Sequence, residues 1–139
     1  MDVVILGSGT GIPLRDRASP SLLLMTPTAP VLFDIGPGAL RQLTRLGISW
    51  NRVGEILLTH FHPDHTADLV PFLFATRNPS ALRARKPFGL TGPAGFRDFL
   101  SGLQGVYEGW LTLPPDVMKI TELSTREPEK RVRPDFTLH

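Results

Sequence analysis

The sequence predicts an α/β fold, in which short buried strands alternate with amphipathic helices. Short apolar runs bounded by glycine or proline recur along the chain and are typical of strands. Longer stretches carry apolar residues three and four positions apart, which predicts helices between those strands. The 139 residues suffice for one domain, and 41% hydrophobic with 20% charged residues is typical of a globular protein.

The first part of the chain predicts three strands and one helix. Its strands are expected at 2–6, 21–25 and 31–35. The first strand enters a glycine-rich turn, while Pro27 and Pro30 are confined to the loop between the second and third. A helix is predicted over 37–46, because leucines recur on one face, a proline suits its first turn and Gly47 ends it.

The second part predicts a similar alternation. Two more buried strands are expected at 56–58 and 88–90. A helix over 64–77 lies between them, and Pro71 is expected to bend it. The inward-facing residues of that helix are Leu69, Phe72 and Leu73. A last helix is predicted over 94–103, followed beyond residue 107 by loops that flank edge strands.

Three of the four histidines lie within residues 59–65, directly after an apolar strand. His60 and His62 are two positions apart, so in extended backbone both side chains project to the same side. Asp64 and His65 follow at a predicted helix start and point elsewhere. Imidazole and carboxylate groups are common zinc ligands. The spacing therefore predicts two ligand pairs for two neighbouring metal ions, with a histidine-rich surface turn as the alternative.

Residues 59–65, Thr-His-Phe-His-Pro-Asp-His, resemble the T-H-x-H-x-D-H signature of the metallo-β-lactamase superfamily. Segments 6–21, 32–38 and 89–99 are similar to its ribonuclease Z branch. The resemblance covers residues 1–105 and implies half of an αββα sandwich, a mixed β-sheet with helices on its outer face. It implies that residues 1–139 form the N-terminal half of such a domain and that the second half is absent from this chain.

The same resemblance implies a metal-dependent hydrolase. His60 and His62 would bind one divalent ion, and Asp64 and His65 would bind the other, with zinc expected and manganese as the alternative. Two ions ~3.5–4 Å apart would activate water and polarise the substrate. Asp64 would also assist proton transfer as the catalytic residue. The flanking segments favour a phosphodiester substrate, RNA included, although the superfamily also hydrolyses other esters.

The predicted ligand set is incomplete. Catalytic zinc usually takes three protein ligands plus water, whereas these pairs supply two ligands to each ion. After His65 the sequence has one histidine, His139, which is either the third ligand of the family or a terminal residue without that role. We therefore expect the chain to need a second half-domain or a homo-oligomer.

Two other kinds of protein fit these residues. One is a truncated or partner-dependent half-domain without activity of its own, in which one face of the sheet would be exposed. The other is a non-catalytic RNA-binding protein that uses the basic stretches 83–86 and 126–133. The stretch 83–86 is, however, more typical of a solvated loop.

Three further features lie near the predicted site. The glycine turn 7–11 is not a dinucleotide motif, because Ile12 occupies the third glycine position and Pro13 blocks the following helix. It predicts a tight turn at the edge of a metal cleft. Asp34 either orients a ligand histidine through a hydrogen bond or forms a turn. Asp68 is interpreted as a solvated helix residue, with an additional carboxylate behind the metal as the alternative.

Composition excludes several other classes of protein. The absence of cysteine excludes disulfides, iron–sulfur clusters and cysteine-based zinc fingers. No apolar run approaches the ~20 residues of a membrane span, so no membrane partner is expected. The N-terminus lacks a signal-peptide core, which predicts a cytoplasmic protein. A net charge of +2 is too small to indicate nucleic-acid binding by itself.

Overall fold

A six-stranded mixed sheet is the central element of the computed structural model, which describes residues 1–124, 131–132 and 137–138. Its strands, in their order across the sheet, are β1 (Asp2–Gly7), β2 (Ser21–Met25), β3 (Val31–Phe33), β4 (Glu55–Leu57), β5 (Phe88–Gly92) and β6 (Met118–Glu122). Strands β1 to β3 pair antiparallel, and β3 to β6 pair parallel. Strands β7 (Arg131–Val132) and β8 (Thr137–Leu138) form a separate antiparallel pair. The predicted α/β class is confirmed.

Helices follow or connect the parallel strands. They are α1 (Ala39–Arg45), α2 (Pro63–Thr66), α3 (Leu69–Thr76), α4 (Pro79–Ala84) and α5 (Phe96–Val106), with one 3-10 turn at Trp50–Arg52. Apart from the helix over 64–77, the predicted elements exist with ends that differ by a few residues, whereas α4 and the 3-10 turn were not predicted. No helix in the described part of the chain is long and apolar enough to cross a membrane.

One face of the sheet and the helices share a single hydrophobic core. Leu23, Leu32, Ile56 and Leu90 are fully buried on that face of adjacent strands. Cross-strand partners lie on the same face, so Val3, Leu24, Val31 and Glu55 belong to the opposite one. There Val3 is exposed, but Val31 and Glu55 are buried. On this face the sheet is exposed at its two outer strands, at Val3 of β1 and Lys119 of β6, and covered between them.

The predicted helix over 64–77 is wrong as one unit, because the chain forms two helices. Helix α2 ends at Thr66, and α3 begins at Leu69. Pro71 lies in the first turn of α3, where a backbone N–H would have no partner within the helix, so it neither bends nor breaks it. The inward positions are confirmed, since Leu69, Phe72 and Leu73 are fully buried.

The basic stretch 83–86 is a solvated loop only in part, because Arg83 and Lys86 are exposed but Arg85 is buried. Residues 83–84 end helix α4, and Arg85 is 8% exposed. The Arg85 guanidinium donates to the Val53 carbonyl (2.8 Å) and lies 4.0 Å from the Phe88 ring centroid. Burial lowers the pKa of Arg85 to about 10, so the group stays charged at neutral pH. Arg85 is therefore a structural cation that RNA cannot reach.

Helix α5 begins against the end of the last parallel strand. The Arg97 N–H donates to Glu122 Oε2 (2.9 Å). Backbone N–H groups of Arg97 and Gly95 hold the pKa of Glu122 below its ordinary value, because they stabilise the carboxylate. A carboxylate at a helix N-terminus is favoured by the helix dipole, which fixes the start of α5 beside β6.

Candidate metal centre

The four predicted ligands lie at the carboxyl ends of the parallel strands. Strand β3 ends just before Asp34, and β4 ends just before the segment 59–65, which we call the ligand turn. The two strands pair side by side in parallel, so their carboxyl ends meet at one edge of the sheet. This edge is where open α/β sheets bind their ligands.

The ligand turn brings its four side chains together. The His60 ring centroid lies 4.6 Å from that of His62 and 4.0 Å from that of His65. His65 Nε2 lies 3.6 Å from Asp64 Oδ2. His60, Asp64 and His65 are half-buried, and His62 is exposed. Three imidazole rings and one carboxylate thus lie close together at the sheet edge.

Asp34 fulfils both roles considered for it. Its Oδ2 accepts a 2.7 Å hydrogen bond from His65 Nδ1, so it orients a predicted ligand. Its backbone is left-handed, with φ of 56°, so it also forms the turn after β3. Proton donation from Nδ1 leaves the lone pair of a neutral His65 on Nε2, the nitrogen that faces Asp64.

These donors suit a divalent metal in kind but not in number. The Asp34 carboxylate behind His65 is one of the groups that commonly orient a metal-binding histidine. Within residues 1–124, however, no three histidine, aspartate or glutamate side chains converge closely enough to hold an ion. His139 lies outside the described residues. The predicted ligands therefore stay a prediction.

Neighbouring segments hold the ligand turn in place. The Phe61 ring stacks on Phe99 of α5, with centroids 4.8 Å apart and planes 13° apart. On the other side Ile35 N–H donates to the His65 carbonyl (2.8 Å). Gly36 lies so close to the backbone that its added Cβ would be 2.0 Å from the Asp64 carbonyl oxygen. The turn is therefore fixed from both sides.

The interpretation of Asp68 as a solvated helix residue is wrong. Its Oδ2 accepts hydrogen bonds from the backbone N–H groups of Gly38 (3.1 Å) and Leu40 (3.0 Å). These groups belong to the start of α1 and have no partner within that helix. Asp68 thus caps α1 from the start of α3, which is a structural role rather than one behind a metal.

A cavity of about 640 Å³ opens beside Asp64. The glycine turn forms part of its edge, because Gly11 lines the cavity and lies against the Asp64 carboxylate. Its wall contains four exposed arginines, namely Arg15, Arg17, Arg41 and Arg45. No ion pair of these arginines is found among the side chains that the structure describes. The cavity is therefore suited to an anion.

Sequence reasoning assigned no role to several of these residues. Thr59 is part of the motif but was given no function, although it contacts both Asp34 and His60. At Gly36 the sequence predicted a turn, but not the close approach of this residue to the Asp64 backbone. Arg41 and Arg45 are four positions apart, which predicts one helix face. That spacing could have indicated a basic surface, but not that it faces Asp64.

Comparison with known proteins gives the chain a family. Residues 14–134 match the metallo-beta-lactamase superfamily. Ribonuclease BN of Erwinia tasmaniensis is 34% identical over 124 residues, which are 87% of this chain and 40% of that protein. Zinc phosphodiesterase ELAC protein 1 of Mus musculus is 30% identical over 135 residues, 96% of this chain and 37% of that protein.

A solved structure agrees with these relatives. The short form of human tRNase Z superposes with a TM-score of 0.71 at 28% identity, covering 89% of this chain and 45% of that one. The chain thus spans less than half of the length of the relatives it matches. With the sheet-edge histidines and the matched residues 14–134 together, the chain belongs to the metallo-β-lactamase superfamily, with relatives in its ribonuclease Z and BN branch.

Proposed function

We propose that this chain is the ligand-bearing half of a dinuclear metal-dependent phosphodiesterase that cleaves RNA. The observation that carries the proposal is the proximity of three imidazole rings and the Asp64 carboxylate to one another, beside an arginine-lined cavity. Relatives named as ribonuclease and zinc phosphodiesterase support the same reaction. A phosphodiester is anionic, and the cavity beside the ligand turn carries the complementary charge.

We assign His60 and His62 to one divalent ion and Asp64 and His65 to the other, with zinc as the expected metal. Such a pair of ions supplies an activated water and stabilises charge on the phosphoryl group. The chain's own part is orientation, since Asp34 holds His65 with its Nε2 lone pair outward. The Asp64 carboxylate is the group that we assign to proton transfer, because it lines the cavity next to the imidazoles.

The missing donors are proposed to come from a second half-domain, or from another copy of the chain. Two protein ligands for each ion are fewer than the three that catalytic zinc usually takes. The relatives are more than twice as long as the matched segment, which supports a second half as their source. A half-domain without its partner would then bind metal weakly and turn over slowly.

Alanine at both His62 and His65 should reduce bound zinc to background, because one donor is removed from each ion. Zinc bound at equilibrium, measured by titration against a competing chromophoric chelator, tests this. Lys119→Ala on β6, an exposed position away from the ligand turn, is the control and should match the wild type. Zinc retained by the double variant would reject these ligands. A wild-type chain that never takes up zinc would favour the partner-dependent half-domain.

Glutamine at both Arg41 and Arg45 should weaken binding of a single-stranded RNA oligonucleotide. The slope of log affinity against log salt should become shallower by about 1.4, because each lost phosphate contact contributes about 0.7. Fluorescence anisotropy at several salt concentrations measures it. Arg52→Gln, an exposed arginine outside the cavity, is the matched control. Equal effects of both changes would reject the cavity as the RNA site.

A non-catalytic RNA-binding protein stays the second candidate. Its basic stretch 83–86 is weakened by the burial of Arg85, and the stretch 126–133 lies largely outside the described residues. Salt-dependent RNA affinity without metal uptake or cleavage would favour it over the enzyme. The metal and RNA experiments above therefore separate the two functions.

A further inference from the structure

We infer that Thr59 is a positioning residue, whose hydroxyl fixes the tautomer of His60 so that the Nε2 lone pair is free to bind metal. The inference rests on the proposed function, since the tautomer matters only where His60 is a ligand. It extends the role of Asp34 from one histidine to two.

The Asp34 carboxylate determines the direction of the hydroxyl proton. Thr59 Oγ1 lies 2.8 Å from Asp34 Oδ2 and 3.1 Å from Oδ1. An ionised carboxylate only accepts hydrogen bonds, so the hydroxyl must donate to it. The Thr59 backbone N–H also donates to Asp34 Oδ1 (2.8 Å), which keeps Thr59 beside the carboxylate.

The hydroxyl has one proton, and that proton is used on Asp34. Thr59 Oγ1 lies 3.0 Å from His60 Nδ1. Because the hydroxyl can then only accept from the ring, His60 Nδ1 must carry the proton. In a neutral imidazole the lone pair is left on Nε2, the nitrogen at the far side of the ring from Thr59. Asp34 thus holds His65 directly and His60 through Thr59.

His62 provides an internal comparison. Its ring has no hydrogen-bond partner among the described residues, while His60 and His65 each have one at Nδ1. With no partner, an imidazole populates both tautomers. The chain therefore fixes two of the three imidazoles before any metal binds, and leaves the exposed third ring free to adjust.

Nitrogen chemical shifts of the histidine rings test the inference in the metal-free chain. Spectra at about pH 8.5, where model imidazole is neutral, should show a protonated Nδ1 and an unprotonated Nε2 for His60 and His65. His62 should show averaged values. In Thr59→Val, which keeps the branched shape but loses the hydroxyl, the Nε2-protonated fraction of His60 should rise about fivefold. His65 should stay unchanged.

Thr59→Ser is the matched variant, since it keeps the hydroxyl and should restore the wild-type shifts. Zinc affinity should fall about tenfold in Thr59→Val and recover in Thr59→Ser. A protonated Nε2 on His60 in the wild type would overturn the inference even if no variant folds. Unchanged His60 shifts in a folded Thr59→Val would overturn it as well. A wild-type chain that never takes up zinc would count against the proposed function, but would leave the tautomer result standing.

Discussion

Gly36→Ala should destabilise the fold by about 3 kcal/mol and displace the ligand turn. The added Cβ would lie 2.0 Å from the Asp64 carbonyl oxygen and 2.9 Å from Ser19 Cβ. Backbone atoms of Asp64 cannot rotate away as a flexible side chain can, so the two segments must separate. Thermal unfolding followed by circular dichroism should show a midpoint lower by roughly 10 °C. Zinc uptake should fall with it.

Gly102→Ala is the matched control for that change. Gly102 lies within α5, and its added Cβ would meet no atom within 4 Å. Alanine there should stabilise the protein by about 0.5–1 kcal/mol, because glycine inside a helix costs that much. A Gly36→Ala protein as stable as the wild type would mean that the turn after β3 and the ligand turn are not in backbone contact.

Asp34→Asn should destabilise the protein by about 2 kcal/mol and lower zinc affinity by about 10–100-fold. Asparagine also adopts the left-handed backbone of this position, so the change removes charge and acceptors rather than the turn. An amide that donates to His65 Nδ1 would force the ring proton onto Nε2. The lone pair that faces Asp64 would then be lost. Urea unfolding and competitive zinc titration measure the two effects.

Asp16→Asn is the control, because Asp16 is an exposed carboxylate on the wall of the same cavity. The free energy of unfolding of the Asp16→Asn protein should differ from that of the wild type by less than about 0.5 kcal/mol, as is usual for surface substitutions. If Asp34→Asn behaved like Asp16→Asn in both measurements, the carboxylate behind the histidines would have no organising role. The two substitutions therefore test different interactions. Gly36→Ala tests the backbone contact between two segments, and Asp34→Asn tests the hydrogen bonds of the carboxylate.

Much of the fold was predictable because its signals are local. Strand β2 occurs at the predicted 21–25, and the inward residues of α3 follow from leucine and phenylalanine spacing. The division between α2 and α3 was not predictable from Pro71. It arises where Asp68 N–H donates to the Ile35 carbonyl (3.0 Å) and the Asp68 side chain caps α1. A distant segment therefore decided a local boundary.

The site was predictable only in part, because some of its contacts join segments that are far apart in the sequence. The candidate ligands in residues 59–65 follow from residue types and spacing, which are local properties of the sequence. The contact of Asp34 with Thr59 joins positions 25 apart, and that with His65 joins positions 31 apart. No periodic pattern in the sequence indicates either contact. Likewise, the sequence indicated a surface charge at Arg85, whereas in the structure its guanidinium is buried and contacts the Val53 carbonyl and the Phe88 ring.

The sequence by itself determined the α/β class and the placing of three histidines and an aspartate after a strand, because residue spacing and short-range periodicity are properties of the chain. Only the tertiary structure decided that Asp34 supports His65 and contacts Thr59, that Gly36 lies against the ligand turn, and that four arginines surround a cavity beside Asp64. These relations depend on which strands pair side by side. That pairing is set by the packing of the whole sheet.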